Sequence, residues 1–376
     1  MLQKSDHYAL ADLSPGYDRV PSVDGLRAFC ILLVLFSHFA SELPGKPEFL
    51  AGLLGVQIFF VISGFLITRL LLAEIGQTGR IAIRSFYFRR FVRLMPPLCA
   101  MLCVTVALLW LYRINDFMFP VCGLFYVANY CLTGGVPSHA LDSLWSLAVE
   151  EHFYILFPLL LVTSIRYGFR AVYLCLLLVF CTALGARIAH ALADHPIAYM
   201  YWHTECVMDI IIAGCALSVM SSHAAGRTAL RRLSSTPVFA LAAVLYAFGL
   251  LAGASKLHLA FMQSALSVWL AVLLINVLCN PDLARIRRLL NHPAMVWIGR
   301  ISYSTYLWQC VVLLLERRYD AIVNVYWIVA AVALSLLLGA ASYYCIEKPA
   351  AARRKAWSQL LGLPQERAVA KPALTG

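Results

Sequence analysis

The chain has few charged residues for its length. Only 13% of its 376 residues are Asp, Glu, Lys or Arg, whereas 62% are hydrophobic and the mean hydropathy is +0.78. A soluble domain has about 25% charged residues and roughly 45–50% apolar ones. The sequence also lacks a long polar stretch that could form a second domain. These scarcities exclude an ordinary soluble protein and predict a single polytopic membrane domain.

Acidic residues are scarcer than basic ones. The chain has 19 Asp and Glu against 30 Lys and Arg, which gives a net charge of +11. In a soluble protein such an excess would suggest nucleic acid as a partner. Here the basic residues lie in short loops between apolar runs, as they do on the cytoplasmic side of membrane proteins. We therefore expect membrane lipids, and no nucleic acid, as partners.

The sequence also lacks CxxC pairs, Cys/His metal spacings and internal repeats. Its twelve cysteines lie mostly inside apolar runs, where we expect small buried side chains and no thiol chemistry. Internal repeats mark many transporters. Their absence weakens a transporter interpretation, and the absence of ligand spacings predicts no metal.

Ten apolar runs approach or exceed the roughly 20 residues that cross a membrane, at 25–41, 50–74, 94–112, 144–165, 171–191, 205–222, 236–254, 258–279, 293–315 and 321–346. A cytoplasmic N-terminus places the basic loops between them on the cytoplasmic side, although Arg317 and Arg318 then fall on the outer side. An eleventh, shorter run lies at 117–132. If it crossed the membrane, the later basic loops would fall on the outer side, so we expect it to be re-entrant or peripheral.

The expected fold is thus an all-α transmembrane bundle of about ten spans with both termini cytoplasmic. We divide the chain into a cytoplasmic N-terminal segment at 1–22, a transmembrane domain at 23–349 and a cytoplasmic tail at 350–376.

Two ionisable side chains lie in the first apolar run, DGLRAFCILLVLFSHFA at 24–40. Arg27 and His38 are eleven residues apart, which puts them on one helical face about 16 Å apart along the axis. Such residues in membrane helices are rare and are functional candidates. Separate roles stay open, with Arg27 as an anchor at the inner surface and His38 bonded to another helix. One ligand could reach both only if it were long, anionic at the inner end and reactive at the outer end, which is the shape of acyl-coenzyme A.

Three arginines open the third apolar run, in FYFRRFVRLMPP at 86–97. Arg89 and Arg93 share one helical face at i, i+4, and Arg90 lies beside them. The planar guanidinium binds phosphate bidentately, so the cluster indicates a phosphate site. A topological anchor or a lipid-headgroup contact remains the alternative.

Carboxylates occur in two further apolar runs. Glu150 and Glu151, followed by His152, lie about two turns into LWSLAVEEHFY at 144–154, and Asp209 lies at a similar depth in TECVMDIIIAGCA at 204–216. A carboxylate at such a depth must be paired, protonated or in a wet cavity. With an imidazole it can form a base and its orienting partner, although each also fits a bond between helices.

Six segments together resemble the acyltransferase-3 family, in the order Arg27 to His38, GVQIFFVISGFLIT (55–68), RRFVRLMP (89–96), SLWSLAVEEHFY (143–154), ISYSTYLWQ (301–309) and IEKP (346–349). These are bacterial integral-membrane acyltransferases, often O-acetyltransferases of cell-surface sugars. The resemblance covers about residues 20–350, and within it we expect the small residues of SGFLIT (63–68) to allow close helix packing.

The resemblance implies that an acyl group, commonly acetyl, passes from cytoplasmic acyl-CoA (acetyl-CoA) to a hydroxyl on the outer side of the bacterial inner membrane. It implies that His38 is the essential histidine, that Arg27 is its paired arginine, and that Arg89, Arg90 and Arg93 hold CoA. The carbohydrate acceptors that it allows include O-antigen, exopolysaccharide, peptidoglycan and lipo-oligosaccharide, with a secreted macrolide as a further acceptor.

Two residues depart from the pattern common in the family. His152 stands where Gln is common, and Gln309, which cannot act as a general base, stands where His is common. Many relatives also carry an extracytoplasmic SGNH-hydrolase-like domain after the last span, whereas only residues 350–376 follow Pro349 here. We therefore expect either a separate extracytoplasmic acyl-relay protein or direct transfer to the acceptor.

The expected mechanism makes His38 a general base. Glu150 or Glu151 would orient its imidazole, as an acid does in a hydrolase triad, and Asp209 is a further catalytic candidate. A covalent acyl-histidine stays open. Weaker candidates for substrate or oxyanion contacts are Ser37, His152, Tyr303, Trp308 and Gln309. The alternatives are a transporter or flippase for a glycolipid or polyprenyl-linked sugar, and an inactive relative that serves as an assembly partner.

Overall fold

A computed structural model describes residues 20–40, 48–253, 255–318 and 325–361. Residues 1–19 of the predicted N-terminal segment and 362–376 of the predicted tail lie outside the described residues. Within the described ranges the protein consists of helices and connecting turns, without a strand, so the predicted all-α class is confirmed.

The helices in chain order are α1 (Pro21–Phe39), α2 (Glu48–Thr78), α3 (Ile83–Leu111), α4 (Met118–Leu124), α5 (Ala128–Thr133), α6 (Leu144–Ile165), α7 (Phe169–Leu192), α8 (Ile197–Trp202), α9 (Thr204–Ser221), α10 (Ala224–Leu233), α11 (Thr236–Leu251), α12 (Lys256–Cys279), α13 (Ala284–Leu290), α14 (Pro293–Arg318), α15 (Val325–Ser342) and α16 (Lys348–Leu360). A single 3₁₀ turn at Pro281–Leu283 precedes α13, and a π-helical turn at Tyr343–Glu347 joins α15 to α16.

Membrane-crossing helices make up most of the chain. Among the described residues, eight helices are long and apolar enough to cross a membrane, and nine if α10 and α11, bent by 68°, form one span. The ten predicted runs fall on α1, α2, α3, α6, α7, α9, α11, α12, α14 and α15. Of these, α14 has 26 residues but is not among the eight, because its segment GRISYSTYLWQ is polar. That polar face belongs to the site described below.

The two ends of the bundle differ in charge and in cysteine chemistry. The basic loops predicted to be cytoplasmic gather at one end, which we call the basic end, and the connections with α4, α5 and α8 lie at the opposite end. The run at 117–132 forms the short helices α4 and α5, which Cys122 and Cys131 join by a disulfide. The expectation that the cysteines are merely small buried side chains is therefore wrong for this pair. Disulfides persist outside the cytosol, which favours the opposite end as the outer one.

Two arginines that do not fit the charge pattern have partners at the opposite end. Nη2 of Arg317 lies 3.0 Å from Oδ2 of Asp142, in the connection between α5 and α6. The guanidinium of Arg318 lies 5.3 Å from the ring centre of Tyr112 at the end of α3. Both charges are thus held by local contacts, so they do not reverse the arrangement that the other loops indicate.

Close helix packing sets the position of α2. A Cβ atom on Gly64 of α2 would overlap the carbonyl oxygen of Ile211 on α9, and one on Gly214 would overlap the carbonyl oxygen of Val61. The two glycines therefore let the backbones approach closely, as small residues do in membrane helices. This confirms the packing expected for SGFLIT, and it turns the neighbouring Ser63 toward α6.

Candidate active site

The two ionisable residues of α1 both contact α14. Nε and Nη2 of Arg27 lie 3.3 and 3.1 Å from Oγ of Ser302, and its guanidinium lies 5.9 Å from the ring centre of Phe59 on α2. Nδ1 of His38 lies 3.1 Å from Oε1 of Gln309. Ser302 and Gln309 are two helical turns apart in the polar segment of α14, so one helix positions both side chains.

The tautomer of His38 follows from its partner. An amide oxygen can only accept a hydrogen bond, so Nδ1 of His38 carries the proton and Nε2 keeps a lone pair. Gln309 is fully buried, and its amide nitrogen has no hydrogen-bond partner among the described residues. The expectation that Glu150 or Glu151 orients His38 is therefore wrong in this structure, because Gln309 takes that place.

A cavity of about 540 Å³ lies at the basic end of α1, α2, α3, α14 and α16. We call it the basic cavity. Among the described residues its lining contains two carboxylates, Asp24 and Glu347, and eight basic residues, which are Arg27, Arg69, Arg89, Arg90, Arg93, Arg300, Lys348 and Arg354. The excess of cations makes it a site for an anionic ligand.

The predicted arginine motif of α3 lines this cavity throughout. Arg89 forms an ion pair of 3.1 Å with Glu74. The guanidinium of Arg90 lies 4.3 Å from the ring centre of Tyr154 on α6. Arg93 is 3.6 Å from Glu347 and keeps 44% of its side chain exposed. Each guanidinium thus contacts a side chain of a neighbouring element while it lines the cavity.

A narrower pocket of about 80 Å³ continues from the basic cavity into the bundle. The two share Arg27, Ser63, Arg90, Arg93 and Tyr154 in their linings. The inner pocket adds polar side chains from α6 and α14, which are Ser146, Glu150, Ser302, Tyr303 and Tyr306. A ligand with a charged end and a thin arm could therefore occupy both spaces.

Glu150 is tied into the inner pocket by two hydrogen bonds. Ser63 Oγ donates to Oε1 at 2.8 Å, and the hydroxyl of Tyr154 donates to Oε2 at 3.0 Å. The Tyr154 ring in turn lies under Arg90. Glu151, one residue on, faces away from these bonds, and its Oε1 lacks a hydrogen-bond partner among the described residues.

The inner pocket ends one helical turn before Gln309, the partner of His38. Tyr306 lines the pocket, and its hydroxyl contacts Oγ of Ser146 at 2.6 Å and the carbonyl of Ser143 at 2.8 Å. Gln309 follows three residues later on α14. His38 itself lies outside the linings of both cavities. The channel expected from Arg27 to His38 is thus open only along its inner part.

Asp209 lies apart from this site. Its two carboxylate oxygens accept hydrogen bonds of 3.0 and 2.7 Å from Arg187 of α7, and Oδ2 accepts another of 3.1 Å from Ser264 of α12. Arg187 and Asp209 are both 0% exposed. The pair joins three helices, which favours a structural role, and the catalytic role of Asp209 stays a prediction.

His152 and the weaker candidates separate in the structure. His152 points toward the opposite end, with Nδ1 2.7 Å from Oγ1 of Thr204. The Tyr303 hydroxyl donates to the carbonyl of Leu94 at 2.7 Å, so it is committed although the residue lines the inner pocket. Ser37 is buried, and Trp308 has a buried indole nitrogen without a partner among the described residues.

Glu347 lies in the recognised segment IEKP (346–349), but the sequence predicted no role for it. It ends the π-helical turn after α15, accepts a hydrogen bond of 3.1 Å from Ser304 of α14, and lies 3.6 Å from Nε of Arg93. Such turns often mark functional sites. Three of the recognised segments thus meet at this carboxylate. Arg69, Arg300, Lys348 and Arg354 were also missed, since isolated basic residues near helix ends look like topological anchors.

Comparison with known proteins gives matches over most of the chain. Residues 20–344 match the family model described as "Acyltransferase domain" (Acyl_transf_3). The chain is 31% identical over 361 residues to "Putative peptidoglycan O-acetyltransferase YrhL" of Bacillus subtilis (strain 168), which covers 88% of this chain and 54% of that protein. It is 28% identical over 379 residues to "O-acetyltransferase OatA" of Staphylococcus aureus (strain NCTC 8325 / PS 47), which covers 94% of this chain and 60% of that protein.

The chain therefore spans little more than half the length of these relatives. No solved structure matches it.

Proposed function

The chain belongs to the acyltransferase-3 family, and from this premise we propose that it moves an acyl group, in the first place acetyl, from acyl-CoA to a hydroxyl of a cell-surface or exported carbohydrate. The observation that carries the proposal is the basic cavity that narrows toward the His38–Gln309 pair. The cavity offers phosphate-binding charge, and the proposed base lies deeper in the bundle, beyond the inner end of the pocket.

The basic cavity fits the nucleotide end of CoA. That end carries a pyrophosphate and a 3′-phosphate, and guanidinium groups bind phosphate through paired hydrogen bonds. Arg89, Arg90 and Arg93 supply one wall, while Arg300 and Lys348 approach from α14 and α16. Carboxylates such as Glu347 hold these cations apart and oriented before the ligand arrives.

The inner pocket takes the thin pantetheine arm. Glu150 acts here as a positioning residue, because its bonds to Ser63 and Tyr154 fix the aromatic ring on which Arg90 rests. We place the thioester carbonyl at the inner end of the pocket, beside Tyr306 and one turn below Gln309.

His38 acts as the general base. Its Nδ1 proton is held by Gln309, so Nε2 is free to take the proton of the acceptor hydroxyl. The hydroxyl oxygen attacks the thioester carbonyl carbon, the carbon–sulfur bond breaks, and the CoA thiolate leaves with the proton that His38 returns. The acyl group ends as an ester on the acceptor.

Gln309 serves this step through its amide oxygen. That oxygen keeps the imidazole in the productive tautomer and accepts from the imidazolium that forms, as the acid does in a hydrolase triad.

We assign CoA to the cytoplasm and the acceptor to the outside. The distribution of charge supports the basic end as the cytoplasmic one, and the Cys122–Cys131 disulfide at the other end supports the same orientation. We place the protein in the bacterial inner membrane. The name of the Bacillus subtilis relative makes peptidoglycan the first acceptor to test, before O-antigen, exopolysaccharide and lipo-oligosaccharide. A separate extracytoplasmic relay protein is compatible with the same chemistry.

The test uses purified protein in nanodiscs with acetyl-CoA labelled in the acetyl group and isolated cell-envelope glycans. We expect label on a glycan with wild type and loss of transfer with His38→Ala. His258→Ala is the matched control, since His258 lies at the start of α12 and contacts the carbonyl of Gly249. Transfer that persists undiminished in His38→Ala would overturn the mechanism. Lack of consumption of acetyl-CoA and of longer acyl-CoAs would move the assignment to a transporter.

A further inference from the structure

Three histidines and a glutamate gather at the opposite end of the bundle, away from the proposed active site. His190 lies in the last turn of α7, His195 follows in the connection, and His203 and Glu205 open α9. One ligand atom from each of His190, His203 and Glu205 lies within 4.8 Å of the others. We call these three residues the outer triad.

The hydrogen bonds of Thr133 favour one tautomer of His203. The Thr133 hydroxyl on α5 has one proton, and two backbone carbonyls lie within its reach, that of Tyr130 at 3.0 Å and that of Asn129 at 3.3 Å. The same oxygen lies 2.9 Å from Nε2 of His203. When the proton goes to a carbonyl, the oxygen accepts from His203, so Nε2 of His203 carries a proton.

This tautomer leaves two acceptors facing each other. Nδ1 of neutral His203 then has a lone pair, and it lies 3.2 Å from Oε1 of Glu205. The other oxygen of Glu205 accepts a hydrogen bond of 2.8 Å from Tyr130. Two acceptors at this distance repel each other unless a cation lies between them. The cation is either a second proton on His203 or a metal ion.

His190 supplies a third ligand, which favours a metal ion. Nδ1 of His190 lies 2.7 Å from Nδ1 of His195, and this contact holds one proton. With that proton on His190, its Nε2 keeps a lone pair for an ion. Metal-bound histidines usually donate their second N–H to a neighbouring group, and here Thr133 and His195 would receive them.

We propose that the outer triad binds a divalent transition-metal ion of the Zn²⁺ class from the outer compartment. Two imidazoles and one carboxylate are a known zinc ligand set, with a fourth position left for water. Ligand atoms at the usual zinc distances in tetrahedral geometry are about 3.4 Å apart, close to the separation of His203 and Glu205. Access is open, since 43% of the Glu205 side chain is exposed.

The neighbouring carboxylate is engaged elsewhere, so the ligand set consists of the outer triad. Asp194 is close in sequence, but Lys256 donates to its Oδ1 at 2.5 Å. That hydrogen bond holds the pKa of Asp194 below its usual range, so the carboxylate is engaged in an ion pair. The ion would join the end of α7 to the start of α9. The inference is independent of the proposed acyl transfer.

The test measures Zn²⁺ binding to the full chain in nanodiscs after chelator treatment, by competition with a chromophoric chelator. We expect one ion per chain in wild type and its loss in Glu205→Gln and in His203→Gln. Thr133→Val keeps the ligands but removes the support of His203, and such changes lower metal affinity by about 10- to 100-fold. Co²⁺ in place of Zn²⁺ should give the strong visible absorption of a tetrahedral site.

The matched control is His139→Asn, because His139 pairs with Asp116 at 3.3 Å at the same end of the bundle. It should bind Zn²⁺ as wild type does. Glu205→Gln keeps an oxygen for Tyr130, so the variant should fold, which size-exclusion chromatography checks. Equal binding by all variants would place the ion elsewhere and overturn the proposal. Lack of binding in wild type would also overturn the proposal, because a proton on Nδ1 of His203 would then account for its contact with Glu205.

Discussion

Replacement of Gln309 by leucine tests the pairing on which the mechanism depends. Leucine has a similar size, and it removes a buried amide whose nitrogen lacks a partner among the described residues. The fold should therefore persist. The variant loses the hydrogen bond to Nδ1 of His38, which is 3.1 Å long in the structure, so the imidazole is no longer held in one tautomer.

The size of the effect follows from the charge on the imidazole. In the transition state His38 becomes an imidazolium, and a hydrogen bond to a charged group contributes about 1.5–3 kcal/mol. Since about 1.4 kcal/mol corresponds to a tenfold change in rate, kcat should fall by about 10- to 150-fold. The KM for acetyl-CoA should stay near wild type, because Gln309 lies outside the lining of the basic cavity.

The assay is label transfer from acetyl-CoA at several donor concentrations, which separates kcat from KM. Gln263→Leu is the control, since Gln263 is also buried and its amide nitrogen also lacks a partner within the described part of the chain, but it lies on α12. Gln309→Glu should keep activity, because a carboxylate accepts the same hydrogen bond. If Gln309→Leu transferred at the wild-type rate, or if Glu failed as badly as Leu, the orienting role would be refuted.

Three further changes test other parts of the structure. Asp209→Asn should lower the free energy of unfolding by about 3–5 kcal/mol, because Arg187 is left buried and unpaired, whereas Asp209→Leu with Arg187→Met should recover most of it in the same thermal-unfolding assay. Gly64→Val should reduce folded yield, since its Cβ meets the backbone of α9, while Gly185→Val, where a Cβ meets open space, should not. Arg300→Gln should raise the KM for acetyl-CoA by about tenfold with kcat unchanged. An unchanged KM would refute the proposed contact between this residue and CoA.

Local sequence patterns were enough to predict the helices and part of the cavity. The length of each apolar run and the charges beside it can be read locally, so the helices could be predicted without knowledge of the packing. The same holds for the arginines of α3, because they lie in one short motif. The disulfide could not, because Cys122 and Cys131 sit in an apolar run like the other cysteines. Only their position at the end of the bundle opposite the basic loops distinguishes them.

The partner of Asp209 could not be predicted from its depth in the membrane alone. Depth along a helix follows from the sequence, but the direction of a side chain around the helix axis depends on how the helices pack. Arg187 lies within the neighbouring apolar run, and a second ionisable residue there was the signal that Asp209 has a partner. A buried arginine and a buried carboxylate on adjacent spans are best paired with each other before either is given a catalytic role.

The partner of His38 was missed for a different reason, and that reason bears on the mechanism. Glutamates were favoured because a carboxylate stabilises an imidazolium more strongly than an amide does. Within a membrane bundle, however, a carboxylate without a cation would be costly to bury. The cations of this site line the basic cavity, and two of them, Arg27 and Arg90, also line the inner pocket together with Glu150. Beside His38, a neutral amide avoids that cost and still fixes the proton on Nδ1. Gln309 thus stabilises the imidazolium less than a carboxylate would. In return it keeps His38 neutral and correctly oriented before the reaction, which His38 needs in order to remove a proton from a hydroxyl.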